Sequence, residues 1–300
     1  MTLRIANAID MHCHFWPDTA GGTLEQGPAF PGIGPPSVTG IEAAREAQES
    51  GHAALVLKSH SFASPVLAQC IDDLVPGLRV FGGVCTDFPS GGLNVHAVEA
   101  ALCLGAKIVW LPTLHSRQDV MRRPAEYRPP GIGDGIALFD DGGDLVPEVH
   151  EIFELVRQKD AILATGHTSA DEHFAVAKEF GQRGKVVVTH AGERLAGPGL
   201  DAAQCAQLAD LGATIEITAQ GCKELLGHPG RTPAQVATML RAIGTSRCVL
   251  STDYGWTTSL PRPAAGMQEF LEGLWAEGVP ETELETMVSA NPARLLGLDL

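Results

Sequence analysis

The feature that most constrains this chain is a repeated alternation of two kinds of segment. Short apolar runs occur at Arg4–His12, Ala53–Lys58, Leu78–Cys85, Lys107–Leu111, Ala161–Thr165, Lys185–Thr189, Ala213–Thr218 and Cys248–Thr252. Most are unbroken (ALVL, KIVWL, AILA, VVVT), which is how a parallel strand covered on both faces reads. Helical patterns lie between them at Val38–Ser50, Asn94–Leu104, Val146–Lys159, Ala170–Gln182, Asp201–Leu211, Pro233–Ile243 and Ala264–Ala276, and Glu281–Leu296 carries a last helix. Gly51, Gly105, Gly212 and Gly244 stand where such helices should stop. Eight strands, each followed by a helix and with no break in composition, predict an α/β fold. The expected architecture is a (β/α)8 TIM barrel forming a single domain over residues 1–300. A doubly wound open sheet is the rival topology.

The loops are unequal. Pro17–Ser37 after strand 1 is crowded with Gly and Pro, and Thr113–Leu145 after strand 4 is longer and polar, whereas loops after helices are short. In a barrel every strand-to-helix loop lies on the C-terminal face, where active sites are built, so long loops confined to that face predict a functional mouth.

Composition narrows the partners. With 44% apolar residues the chain can fill a core, and its net charge of −15 argues against a broad nucleic-acid or anionic-membrane surface. No apolar stretch reaches the roughly 20 residues of a membrane span, and no signal peptide is visible at the start. The seven cysteines form no CxxC pair. Cys70, Cys103 and Cys205 fall in helical patterns, and Cys85 and Cys248 in strand-like ones. Buried free thiols in a reducing compartment are the expectation, and with it a soluble, cytoplasmic protein. A small-molecule substrate is the expected partner, and homo-oligomerisation stays open.

His12 and His14 flank Cys13 at the end of the first strand (AIDMHCHF). Residues i and i+2 of a strand share a side, so both imidazoles can face the barrel mouth, and paired neutral imidazoles suit a borderline divalent ion. An HxH alone is weak evidence. Here His167 follows AILATG, His190 ends VVVT and Asp253 follows CVLST, each where a barrel strand delivers its last side chain to the mouth. Four separate satisfied core histidines would need four separate reasons, whereas one joint metal site needs one.

This pattern, HxH on strand 1, His on strands 5 and 6 and Asp on strand 8, resembles the amidohydrolase superfamily of metal-dependent (β/α)8 enzymes. The ending NPARLLGL is also similar to that superfamily, and the likeness runs from His12 to Leu298. The segments LVLKSH, VFGGV, GGLN, KIVWLPT and LATGH resemble an uncharacterised bacterial branch known only as a domain of unknown function. The resemblance implies that His12, His14 and Asp253 hold a divalent metal, joined by His167 if one ion is bound. Zinc comes first, with manganese, iron or nickel as alternatives. It implies that Asp253 takes the proton of the attacking water. His190 would be a ligand to a second ion, or an electrophile and proton shuttle.

One departure bears on the number of ions. Many two-metal relatives carry a carboxylated Lys or a Glu at the end of strand 4, but here the strand ends KIVWLPTLHS. Strand 2 ends in Lys58 instead, with His60 two residues on. Lys58 could be carboxylated and bridge two ions, or remain an ammonium that clamps a substrate carboxylate or polarises its carbonyl. The clamp, and with it one ion over two, is the favoured expectation; the bland alternative is a snorkelling surface Lys.

His60, His115 and Trp256 are further substrate-facing candidates, and Phe15, Trp16, Phe62, Phe88, Tyr127 and Phe139 are candidate pocket walls. Glu216, inside ATIEIT, is a carboxylate in a barrel that needs a partner, which support of a metal ligand would provide. Arg117, Arg122, Arg123 and Arg128 crowd the fourth loop, although acids there are comparable in number. The leading reading is a hydrolase that directs a metal-activated water at the carbonyl of a small amide, lactam, imide, lactone or ester. Metal-dependent decarboxylation is the alternative, and a non-catalytic metal-binding protein is the third.

Overall fold

Eight parallel strands form one sheet in chain order: β1 (Ile9–Cys13), β2 (Ala54–Leu57), β3 (Arg79–Cys85), β4 (Ile108–Trp110), β5 (Ile162–Ala164), β6 (Lys185–Val188), β7 (Thr214–Thr218) and β8 (Cys248–Ser251). The computed structural model describes residues 3, 5–18, 34–124, 128 and 132–300. The sheet closes on itself where the Asp253 N–H donates to the His12 carbonyl and the His14 N–H to the Tyr254 carbonyl, each at 2.8 Å. This is the (β/α)8 barrel expected from the alternation, and closure excludes the open doubly wound sheet.

The outer layer comprises α1 (Gly40–Glu49), α2 (Pro65–Leu74), α3 (Val95–Cys103), α4 (Arg117–Arg122), α5 (Pro147–Gln158), α6 (Ala170–Phe180), α7 (Ala202–Asp210), α8 (Pro233–Ile243) and α9 (Pro263–Ala276). Four of these begin in reciprocal caps, Thr39 with Glu42, Ser169 with Glu172, Asp201 with Gln204 and Thr232 with Gln235, which satisfy N–H groups the first turn leaves open. Apart from the C-terminal helix, the expected elements agree with the observed ones within two residues at each end except β1, expected from Arg4 and beginning at Ile9, and α2 was not among the expected helical patterns. The six-residue α4, inside the long fourth loop, was not expected.

The barrel interior is filled by Met11, Val56, Phe81, Ile108, Trp110, Ile162, Val187 and Val249, all buried. Ala293, Leu295 and Leu296 join that cluster from the C-terminus, beside the first residue of β1, so the end of the chain plugs the barrel opposite the strand C-termini. The expected single helix there is three pieces: α10 (Glu281–Glu285), a π-helical turn (Thr286–Ala290) and α11 (Asn291–Leu296). Pro292 has no N–H to offer the preceding turn, and the widened turn accommodates the loss. The Asn291 Nδ2 then donates to the carbonyls of Thr245 (3.0 Å) and Cys248 (2.7 Å) at the base of β8.

All seven cysteines are free, but the expectation of buried thiols holds only for Cys13, Cys85, Cys205 and Cys248. Cys70 and Cys103 are exposed, because their positions on α2 and α3 face away from the sheet. Among the described residues no helix is long and apolar enough to cross a membrane.

Candidate metal centre

A bulge in β1 aims the first ligand. Asp10 pairs with Leu55 and Cys13 with Leu57, which leaves both Met11 and His12 opposite Val56. Two residues opposite one is a β-bulge, and it shifts the strand's alternation by one. Met11 fills the barrel interior while His12, and then His14, point into the mouth above it. The bulge is held by Asp10, whose carboxylate accepts from the N–H of His12 (3.2 Å), the N–H of Thr252 (3.0 Å) and the Thr252 hydroxyl. Burial raises the pKa of Asp10 to about 6 against the pull of these hydrogen bonds.

Asp253 follows β8 in a backbone conformation that side chains rarely adopt, with φ of 58°. Two residues later Gly255, with φ of 113°, passes so close to β1 that a Cβ there would lie 1.9 Å from the His14 carbonyl oxygen. The strained turn brings Asp253 Oδ1 to 3.0 Å from Nε2 of both His12 and His14. Ligand atoms of these three side chains lie within 4.8 Å of one another, and all three are buried. Non-glycine residues with positive φ are few, and His190 (28°) is another, so two site residues carry backbone strain.

The remaining ligand candidates are steadied from behind. Glu216 on β7 accepts from His12 Nδ1 (3.2 Å), the His190 N–H (2.9 Å) and the Ser251 hydroxyl (3.0 Å). His167 is placed by Gly166 (φ 68°), where a Cβ would come within 2.2 Å of the Leu111 carbonyl oxygen, and its Nδ1 faces Asp119 of α4 at 3.4 Å. Its ring centre is 4.8 Å from that of His190 and 5.9 Å from that of His60. It stands beside the His12–His14–Asp253 group. Both ring nitrogens of His190 are buried without a hydrogen-bond partner.

The state of His12 tests whether a cation fits. Its Nε2 lies 3.0 Å from Asp253 Oδ1, which only accepts, and 2.8 Å from Lys58 Nζ, which as an ammonium only donates. One ring nitrogen cannot satisfy both. A divalent ion removes the conflict between His12 and Asp253, because His12 Nε2, His14 Nε2 and the carboxylate would each give it a lone pair. Burial would lower the His12 pKa, but the neighbouring Asp253 and Glu216 charges outweigh it and push the pKa up to about 9. His14 is lowered, and His167 and His190 lie well below the usual imidazole range, chiefly through burial, so these three are neutral and ligand-competent. Asp253 is held well below the carboxylate range: burial opposes ionisation, but the His12 and His14 rings prevail.

Above these side chains opens a cavity of about 420 Å3, whose lining includes His14, His60, Asp119, Arg122, Arg123, His167, Gln220, Asp253 and Trp256 together with Leu114, Leu195 and Leu226. His60 and Trp256 therefore reach the cavity, as expected. Lys58 is fully buried against His12 and is not part of that lining, so the snorkelling surface position is excluded. His115 sits behind Asp87, its N–H donating to that carboxylate at 3.0 Å and its ring on Phe88, also away from the lining. Among the described residues Trp256 alone of the expected aromatics lines the cavity: Phe15 packs between α1, α2 and β2, Phe62 stands edge-on to Phe15, and Phe139 packs on the outer core. Tyr127 lies outside the described residues. Arg122 lines the cavity with its guanidinium on the carbonyls of Arg194 and Gly197 (both 2.5 Å).

Sequence reading missed four acids. Asp10, Asp87, Asp119 and Glu193 are each buried against a site residue. Asp87 accepts from the Thr113 N–H (2.8 Å) and hydroxyl, and His60 Nδ1 lies 2.6 Å from that hydroxyl. The hydroxyl's one proton goes to Asp87, so His60 Nδ1 carries the proton it donates and Nε2 keeps its lone pair. A lone acid has no period, and the only signal was proximity to a strand end, as in IDMHC and THAGE.

The fold has solved counterparts. A probable dipeptidase, PvdM, from Pseudomonas aeruginosa superposes with a TM-score of 0.66 at 12% identity, covering 98% of this chain and 95% of that one. An amidohydrolase from the same organism gives 0.58 at 14%, covering 97% and 95%. A probable 2-pyrone-4,6-dicarboxylic acid hydrolase from Acinetobacter baumannii gives 0.58 at 14%, covering 97% and 100%. At such identities the likeness is one of fold, the (β/α)8 barrel. A comparison with curated proteins found no match. The sequence of residues 7–216 matches a family of unknown function, DUF6282, and the chain belongs to that family.

Proposed function

We propose that the protein is a metal-dependent hydrolase acting at the carbonyl of a small amide, lactam, imide, lactone or ester. The observation that carries this is the buried convergence of His12, His14 and Asp253 at the mouth of the barrel. The structural counterparts described as a dipeptidase, an amidohydrolase and a pyrone hydrolase support the same class of bond. A divalent ion, if held by His12, His14 and Asp253, would supply Lewis acidity and make water acidic enough to attack near neutral pH. Asp253, ionised at neutral pH, accepts the proton of the attacking water and returns it to the leaving group. His12 is kept in place by Glu216, so the ligand geometry is fixed before substrate arrives. Leu114, Leu195, Leu226 and Trp256 give the cavity apolar walls that displace water from the substrate, and its volume suits a small molecule.

The test is elemental analysis of protein purified without chelator, followed by assay of cyclic amides and lactones. At least about half an equivalent of a divalent metal is expected, and turnover that Asp253→Asn abolishes while the fold stays intact. Protein that takes up no ion would sink the proposal. A variant retaining a tenth of parent turnover would remove Asp253 from the proton-accepting role.

A further inference from the structure

The cavity wall beyond β2 and β3 carries a hydrogen-bond relay that the hydrolase reading does not use. Asp87, fully buried after β3, has its two oxygens in different company. Oδ1 accepts from the backbone N–H of Thr113 (2.8 Å) and of His115 (3.0 Å). Oδ2 accepts from the Thr113 hydroxyl, whose oxygen in turn lies 2.6 Å from His60 Nδ1. Burial opposes ionisation of Asp87, but His115 and His60 prevail and hold it well below the usual carboxylate range. An ionised carboxylate only accepts, so the single hydroxyl proton is committed to it, and His60 Nδ1 supplies the proton of the next bond.

The His60 ring is held in this arrangement. Its backbone N–H donates to Asp18 at 2.7 Å, and its face lies on His14, with ring centres 4.9 Å apart and planes 17° from parallel. Burial keeps the ring uncharged. His60 lines the cavity, and with Nδ1 engaged in the relay it is Nε2, with a lone pair, that the ring offers there. Asp119 and Asp253, the carboxylates of the same lining, accept as well. The guanidiniums of the lining are engaged, Arg122 on the carbonyls of Arg194 and Gly197 and Arg123 on Asp119. Acceptors fixed before binding are matched by a ligand that donates.

We infer that His60 sets specificity by accepting a hydrogen bond from the substrate at Nε2, so that the substrate is a lactam, imide or other N–H-bearing amide and not a lactone or ester. This rests on the hydrolase reading and narrows it. The oxygen of a lactone turned towards Nε2 sets lone pair against lone pair in a buried place, whereas an amide N–H meets its partner. The same relay makes the polarity reversible by one substitution. In Asp87→Asn the amide oxygen keeps the two backbone donors that now meet Oδ1, so the amide nitrogen faces the Thr113 hydroxyl and donates to it. The hydroxyl then gives its proton to His60 Nδ1, and the ring proton moves to Nε2. The acceptor in the cavity becomes a donor with no change of shape.

Two measurements on Zn2+-loaded protein test this. The first is the tautomer of His60, read from long-range 1H–15N correlations of its ring and assigned by their absence from His60→Gln. Nδ1–H is expected in the parent and Nε2–H in Asp87→Asn. The second compares kcat/KM for glutarimide, N-methylglutarimide and δ-valerolactone. The parent should prefer glutarimide to its N-methyl derivative by at least about 100-fold. Asp87→Asn should shift the ratios of N-methylglutarimide and of the lactone to glutarimide upwards by at least about tenfold, a comparison between proteins in which the intrinsic reactivity of each ring cancels. Nε2–H in the parent, or an N-methyl derivative within about threefold of glutarimide, overturns the inference and leaves the hydrolase reading standing. A switched tautomer with unchanged ratios overturns the role of His60. No turnover of any of the three rings by protein that holds Zn2+ overturns the hydrolase reading and this inference together. Should Asp87→Asn fail to fold, the tautomer of the parent and its N-methyl ratio decide by themselves.

Discussion

An imidazole serves a metal well when something fixes which nitrogen carries the proton. In this mouth the fixing groups are acids: Glu216 behind His12, Asp87 with Thr113 behind His60, and Asp119 behind His167. Glu216 does most, because its two oxygens also hold the His190 N–H and the Ser251 hydroxyl. Glu216→Gln should therefore keep the fold and weaken the first ion by about 10–100-fold, measured by competition with a calibrated chelator. An affinity within a factor of two of the parent would show that Glu216 only fills space. His12, His14, His167, His190 and Asp253 were legible at this scale because each follows an apolar run directly. The acids behind them were not: Asp10 meets Thr252 across 242 residues and Asp119 meets His167 across 48, and no local pattern announces such partners.

Elements show where local pattern suffices and where it fails. The strands are continuous apolar runs and the long helices carry caps and glycine stops, so both were placed closely. α4 is six residues with the sequence RQDVMR and no apolar period. It exists through its contacts: Ser116 caps it, Asp119 pairs with Arg123, and Arg122 reaches carbonyls beyond β6. The NPARLL segment was legible as a motif but not as a plug. Asn291 meets two carbonyls at the base of β8, and its own oxygen accepts from Arg294 at 2.9 Å. Asn291→Ala removes the side-chain donor from the buried Cys248 carbonyl and one of the two donors from that of Thr245, which also accepts from the Cys248 N–H, and should cost about 1–3 kcal/mol in urea unfolding without changing metal stoichiometry. A loss below about 0.5 kcal/mol would mean that the apolar contacts of Leu295 and Leu296 alone hold the plug.

The whole molecule carries buried histidines far from the mouth, and these make its stability depend on pH. His52, at the start of the approach to β2, is nearly buried with Nδ1 unpartnered, and burial lowers its pKa to about 4. The unfolded chain takes up this proton near pH 6.5, the folded chain only near 4, so the unfolded state binds more protons between them. Stability contributed by neutral His52 is complete above about pH 6.5 and is lost as pH falls towards 4, amounting to about 2 kcal/mol by pH 5. Urea unfolding of the parent should therefore lose about 2 kcal/mol more than His52→Leu between pH 8 and pH 5, and equal losses would refute the assignment. At this scale the sequence alone determined the barrel and the strand ends at which chemistry sits, because parallel strands buried on both faces must be apolar throughout and turn polar only at the mouth. Tertiary structure alone decided which of those residues meet. The β1 bulge turned His12 inward, the strained turn at Asp253 carried its carboxylate over β1, Lys58 was directed at His12 away from the cavity, and Glu193 was set against His190. Each of these is a distance between segments remote in the chain, fixed by packing and by hydrogen bonds that close only once the barrel has closed.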